Sequence, residues 1–114
     1  MTDDVAKLLK RVRSASGRDQ HLDRDIARCL NVVPGKPDEL PSYTGSVDAC
    51  IGLIERVMPG WHWHVGYEPK GVMPYAFLSN GKIRCEAIAA TVPLALLTAL
   101  LEAQTDKRLR LTEN

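Results

Sequence analysis

Two histidines set two apart, His62 and His64, are the residues in this sequence whose type and spacing come nearest to chemistry. They fall in Trp61-His62-Trp63-His64-Val65-Gly66-Tyr67, a strictly alternating run. Such alternation predicts a strand, with both imidazoles on one face and Cα atoms about 7 Å apart. Two imidazoles so placed can share a zinc ion if a third ligand arrives from elsewhere. Glu68 shares their face but lies about 13 Å further along from His64 if the strand is straight, and cannot close the site without a bend. His21 is a third candidate that the sequence does not place. The plainer expectation is a polar strand face opposite a tryptophan face, so no metal site and no cofactor is assigned.

Other catalytic chemistry finds no support. There is no H-E-x-x-H, no G-x-S-x-G, no P-loop and no G-x-G-x-x-G. Cys29, Cys50 and Cys85 each sit in an apolar pattern without C-x-x-C spacing, so they read as reduced, largely buried thiols of a cytoplasmic chain. No catalytic residue is assigned. A formal net charge of +1 gives no global field to attract nucleic acid or an anionic membrane. The stretch Met1-Thr2-Asp3-Asp4 is acidic and without an apolar run, so it is not expected to act as a secretory signal.

The elements that would position these residues follow from periodicity. Residues 3–13 carry Val5, Leu8, Leu9 and Val12 at helical spacing, with Thr2 as a cap and Asp3 and Asp4 at the positive end of the dipole. A second helix starts after Asp19, with Leu22, Ile26, Cys29 and Leu30 as its stripe. Residues 31–42 hold three prolines and a glycine and read as a long loop. Thr44 or Ser46 caps a third helix whose stripe is Val47, Cys50, Ile51, Ile54, Val57 and Met58; Pro59-Gly60 ends it.

Three strands come next. After Trp61–Tyr67, Glu68-Pro69-Lys70-Gly71 reads as a type I turn into a strand through Tyr75–Leu78. Asn80-Gly81 signals a hairpin. A two-residue turn there would set Leu78 opposite Ile83, Phe77 opposite Arg84 and Tyr75 opposite Glu86. One face is then Ala76, Leu78, Ile83, Cys85 and Ala87, and the other Tyr75, Phe77, Arg84 and Glu86. The last helix, 91–103, is capped by Thr91, has Pro93 in its first turn and is apolar almost all round. It is shorter than the about 20 residues that span a bilayer. The tail 105–114 places Lys107, Arg108 and Arg110 where they complement the helix dipole.

These elements predict one α+β domain over 1–114, its core at about 19–103, in the order helix, helix, loop, helix, three antiparallel strands, helix. Large side chains on both sheet faces predict helices on both, an α/β/α sandwich with 91–103 and 44–58 as its main layers. Trp61 and Trp63 are expected to fill the core. Tyr75 and Phe77 beside Arg84 are expected either as rings packed under a helix or as a recognition patch. The same order occurs in double-stranded-RNA-binding domains, but the start of the last helix, Ala89-Ala90-Thr91-Val92-Pro93, lacks the lysines those modules use.

Three segments carry a resemblance: Pro41-Ser42-Tyr43-Thr44-Gly45-Ser46-Val47-Asp48-Ala49, Pro59-Gly60-Trp61-His62-Trp63, and Ala89-Ala90-Thr91-Val92-Pro93-Leu94-Ala95-Leu96. Over roughly residues 19–103 the chain resembles small uncharacterised bacterial and prophage proteins similar to the phage ABA sandwich domain family. Val92 separates a threonine and a proline that are adjacent in that pattern. The resemblance implies origin and architecture and brings no catalytic residue. The function it favours is a non-catalytic accessory or protein-interaction domain, its partner unidentified and self-association included. Its interaction surface is expected at Tyr75, Phe77, Arg84, Glu86, His62 and His64, with the 31–42 loop. The alternatives are a small nucleic-acid-binding protein, which needs Lys7, Lys10, Arg11, Arg13 and the tail cations on one face, and an enzyme built on His62 and His64.

Overall fold

A computed structural model of the protein describes residues 2–106, with the side chains of residues 2, 3 and 37 excepted. The cap expected at Thr2, the side chain of Asp3 and the cations Lys107, Arg108 and Arg110 lie outside the described residues. The helices are α1 (Thr2–Ser14), α2 (Gln20–Cys29), α3 (Val47–Val57) and α4 (Val92–Thr105); the strands are β1 (His62–Tyr67), β2 (Pro74–Ser79) and β3 (Arg84–Ile88). The fold is α+β, in the order expected, and the loop from 31 to 46 holds only a single 3₁₀ turn at Pro37–Glu39.

The helix starts follow from capping. Asp19 accepts a hydrogen bond from the Leu22 amide at 3.1 Å, Ser46 from Ala49 at 3.1 Å and Thr91 from Leu94 at 3.3 Å. Thr44 is not a cap. Its amide and its hydroxyl both donate to the buried Asp23 carboxylate, each at 2.7 Å, and its hydroxyl oxygen accepts from the Asp19 amide at 2.8 Å. This network ties the start of α2 to the entry of α3, and Asp23 is 2% exposed.

α4 is the centre of the molecule. Leu94, Ala95, Leu96, Leu97, Ala99 and Leu100 have no exposed surface. One flank packs on β2 and β3, and other parts of its surface take α1 and α3. The polar atom this helix buries, the Thr98 hydroxyl, donates to the Leu94 carbonyl at 2.7 Å.

Helix layers on both sheet faces were expected, and the layering differs. α3 packs on α4 and not on the sheet, so the stack is sheet, then α4, then α1 and α3. A helix apolar all round needs cover on every side, and α1 and α3 are spent covering it. The second face of the sheet is left without a helix among the described residues.

The strands form an antiparallel meander in the order β1-β2-β3. The faces are those read from the alternation: Ala76, Leu78, Cys85 and Ala87 are buried toward α4. The β2–β3 register is two residues away from the expectation, with Leu78 opposite Cys85 and Phe77 opposite Glu86. The Asn80 side chain accepts from the amides of Lys82 and Ile83 at 2.9 and 2.7 Å, and the Asn80 amide donates to the Ile83 carbonyl at 3.2 Å. These bonds widen the turn to four residues, 80–83, and Asn80 does not take the positive φ of a two-residue turn. A shift of two preserves side-chain parity, so both faces survive it.

Leu97→Ala should lower unfolding stability by about 2–5 kcal/mol, since α1, α3 and the sheet cannot collapse together onto one void. Denaturant titration followed by circular dichroism measures it.

Candidate functional site

On the outer face of the sheet the pairings arrange nine residues in three rows. His62, Ser79 and Arg84 form the first, His64, Phe77 and Glu86 the second, Gly66, Tyr75 and Ile88 the third. All six residues expected at an interaction surface lie on this face. Two sit on each of β1, β2 and β3.

The rings engage their neighbours. The His64 imidazole stacks on Phe77 with centroids 5.2 Å apart and planes 7° from parallel. The Arg84 guanidinium lies 4.1 Å from the centre of the Phe77 ring. His64 and Arg84 come from the strands on opposite sides of β2, so Phe77 is held between an imidazole and a guanidinium. Arg84 also pairs with Glu86 at 2.6 Å. Tyr75 stacks more loosely on His64, at 6.1 Å. Its ring lies over Gly66, where an added Cβ would sit 3.1 Å from the Tyr75 Cε1 atom. Gly66 is the bed on which Tyr75 rests.

Tyr75 and Phe77 are half-buried, while His62, His64, Arg84 and Glu86 are exposed. Next to Tyr75 an open depression of about 590 Å³ is lined by Tyr67, Pro69, Tyr75, Arg84 and Ile88 among others. Ile88 is 61% exposed. It belongs to the site and was not singled out from the sequence, although the alternation of Arg84 and Glu86 continues directly to it.

Trp61 is half-buried and packs against the core, but Trp63 does not fill it. Trp63 is 40% and Tyr67 60% exposed, although strand alternation places both on the α4 side of the sheet; Tyr67, the last residue of β1, also lines the depression beside Tyr75. α4 crosses β2 and β3 and barely reaches β1, so this row overhangs the helix. The 31–42 loop lies apart from the outer face. Val33, Pro34 and Leu40 line a separate depression with Arg24 and Arg28 of α2.

Metal and thiol chemistry gain nothing from the geometry. Among the described residues no three His, Cys, Asp or Glu side chains come close enough to hold a metal ion. Cys29, Cys50 and Cys85 form no disulfide. Burial, with a smaller contribution from Asp23, pushes the Cys50 thiol up to about 12. Its Sγ donates to the Tyr43 carbonyl at 2.9 Å. Burial also raises Tyr43 and Cys29.

The cations of α1 are partly neutralised. Arg11 pairs with Asp25 and Arg13 with Glu102, both at 2.5 Å. No described helix is long and apolar enough to cross a membrane. Comparison with known protein families, with characterised proteins and with solved structures finds no match for this chain.

Because the folded Cys50 thiol stays protonated far above pH 9.0, its ordinary value, the unfolded chain alone releases this proton as the pH passes 9. Stability from this group is complete below pH 9 and is lost between 9 and about 12. Urea titrations at pH 8, 9 and 10 should therefore show a steeper alkaline loss in the native chain than in Cys50→Ala. The difference approaches roughly 1 kcal/mol per pH unit.

Proposed function

We propose that this chain is a non-catalytic accessory domain that binds a protein partner through the outer face of its sheet. The observation that carries this reading is an uncovered face on which Tyr75, Phe77 and Ile88 stand among His62, His64, Arg84 and Glu86. Rings with apolar bodies and polar rims recur at interface centres, where they are desolvated on binding. The stack of His64, Phe77 and Arg84 holds its side chains in place before any partner arrives, which lowers the ordering cost of association. An ancestry among phage or prophage proteins, and a place in the cytoplasm, belong to the same proposal. They rest on the three sequence segments and on cysteines that form no disulfide.

A nucleic-acid partner has less support. Arg84 is held by Glu86, Arg11 by Asp25 and Arg13 by Glu102, so these cations offer phosphates little unpaired charge. Both faces of Phe77 are occupied by its own neighbours, which leaves it a poor platform for a base.

A tagged pull-down at about 0.15 M salt, read by mass spectrometry and by the 260/280 absorbance ratio, tests this. A single captured protein should lose at least about tenfold in affinity with Tyr75→Ala plus Phe77→Ala, while circular dichroism shows the variant folded. Unchanged capture by the folded variant would remove the outer face as the site. Nucleic acid that leaves at higher salt would favour the other reading.

A further inference from the structure

The two edges of the sheet are built differently. β3 carries the exposed charges Arg84 and Glu86. Charged side chains on an edge discourage pairing with another chain. β1, His62-Trp63-His64-Val65-Gly66-Tyr67, carries no Lys, Arg, Asp, Glu or Pro. It pairs with β2 over all six residues without a bulge. Among the described residues no element lies along its outer edge, and no loop backbone hydrogen bond reaches residues 62–67. Its outward N–H and C=O groups are therefore free to pair.

The same strand carries the apolar row that α4 does not cover. Trp63 and Tyr67 are 40% and 60% exposed on the α4 side, with Val65 half-buried between them. An exposed edge and an exposed apolar row on one strand call for the same kind of cover, another strand with its own apolar row on the same side.

We infer that the outer edge of β1 is a self-association site, where the β1 strands of two copies pair antiparallel about a twofold axis. Three features favour a second copy over an unrelated peptide. The strand has no Lys, Arg, Asp or Glu, so apposing two copies brings no like-charged ammonium, guanidinium or carboxylate groups together on it. A twofold axis makes identical strands antiparallel and presents identical donor and acceptor patterns to each other. In the register that sets Val65 against the partner's Val65, Trp63 faces the partner's Tyr67, and each exposed ring meets the other. Parity is kept, so His62, His64 and Gly66 of both copies continue the outer face and the three-stranded sheet becomes six-stranded. Pairing along a single strand edge belongs with the smaller, weaker class of interfaces, so association is expected to depend on concentration.

Sedimentation equilibrium of the full chain from about 1 to 500 μM should show the mean mass climbing from one chain toward two. Trp63→Lys plus Tyr67→Lys should move the midpoint at least tenfold higher in concentration, with the circular dichroism spectrum and melting temperature retained. Tyr75→Ala plus Phe77→Ala should dimerise as the native chain does, which separates this site from the partner surface proposed above. Should the lysine variant fail to fold, hydrogen exchange of the native chain decides: amides within 62–67 should slow with concentration. A monomer at every concentration overturns the inference. So does a dimer that the folded lysine variant leaves intact, or one whose exchange protection falls outside 62–67.

Discussion

One helix must be covered on every side, and the rest of the molecule is arranged to do it. α4 has leucine or alanine at most of its positions, and its middle is without exposed surface. Covering it takes β2 and β3 on one flank and α1 and α3 elsewhere. Each of those elements turns its own apolar stripe inward: Leu8, Leu9 and Val12 from α1, Cys50, Leu53 and Ile54 from α3, Ala76, Leu78 and Cys85 from the sheet. Burial at this density is the dominant favourable term in folding. It also uses up α1 and α3, and α2 packs on α1 instead. Among the described residues no helix lies on the outer face of the sheet or beyond α4 over β1, and that arrangement creates both surfaces the molecule offers.

Polar contacts then fix how the outer helices are held. The Asp23 carboxylate is buried, and it takes both the amide and the hydroxyl of Thr44. A buried carboxylate without such partners would be costly. Because Asp23 is on α2 and Thr44 precedes α3, the network fixes where the long loop returns to the core. Cys50, one turn into α3, donates to the Tyr43 carbonyl and so closes the same junction from the other side.

The uncovered face solves its exposure locally. Phe77 would offer both ring faces to water; instead an imidazole and a guanidinium occupy them, and Tyr75 lies over a glycine. Cation–π contact and stacking make the rings rigid while leaving their edges outward. A surface so prepared is apolar enough to be worth covering and polar enough at its rim to stay solvated when uncovered. β1, at the side of this face, has no comparable device, and its overhanging Trp63 and Tyr67 remain exposed.

Periodicity and capping alone determined a great deal. The all-round apolar pattern of 92–105, the alternation of the three strands, and the caps at Asp19, Ser46 and Thr91 follow from local chemistry, and the structure has them. All six residues expected on the outer face are there, because strand parity survives a register shift of two. What only the tertiary structure decided is which neighbour covers which face. A strand pattern says that Trp63 and Tyr67 share a side but not that α4 will stop short of them. Nor can it say that α3 will spend its stripe on α4 instead of on the sheet. The turn at 80–83 failed for the same kind of reason: Asn80 can take a positive φ or bond the amides ahead of it, and local sequence does not rank the two. Side-chain periodicity encodes where apolar surface lies along the chain. The partner for that surface is set by contacts between residues far apart in sequence, whose geometry no local pattern carries.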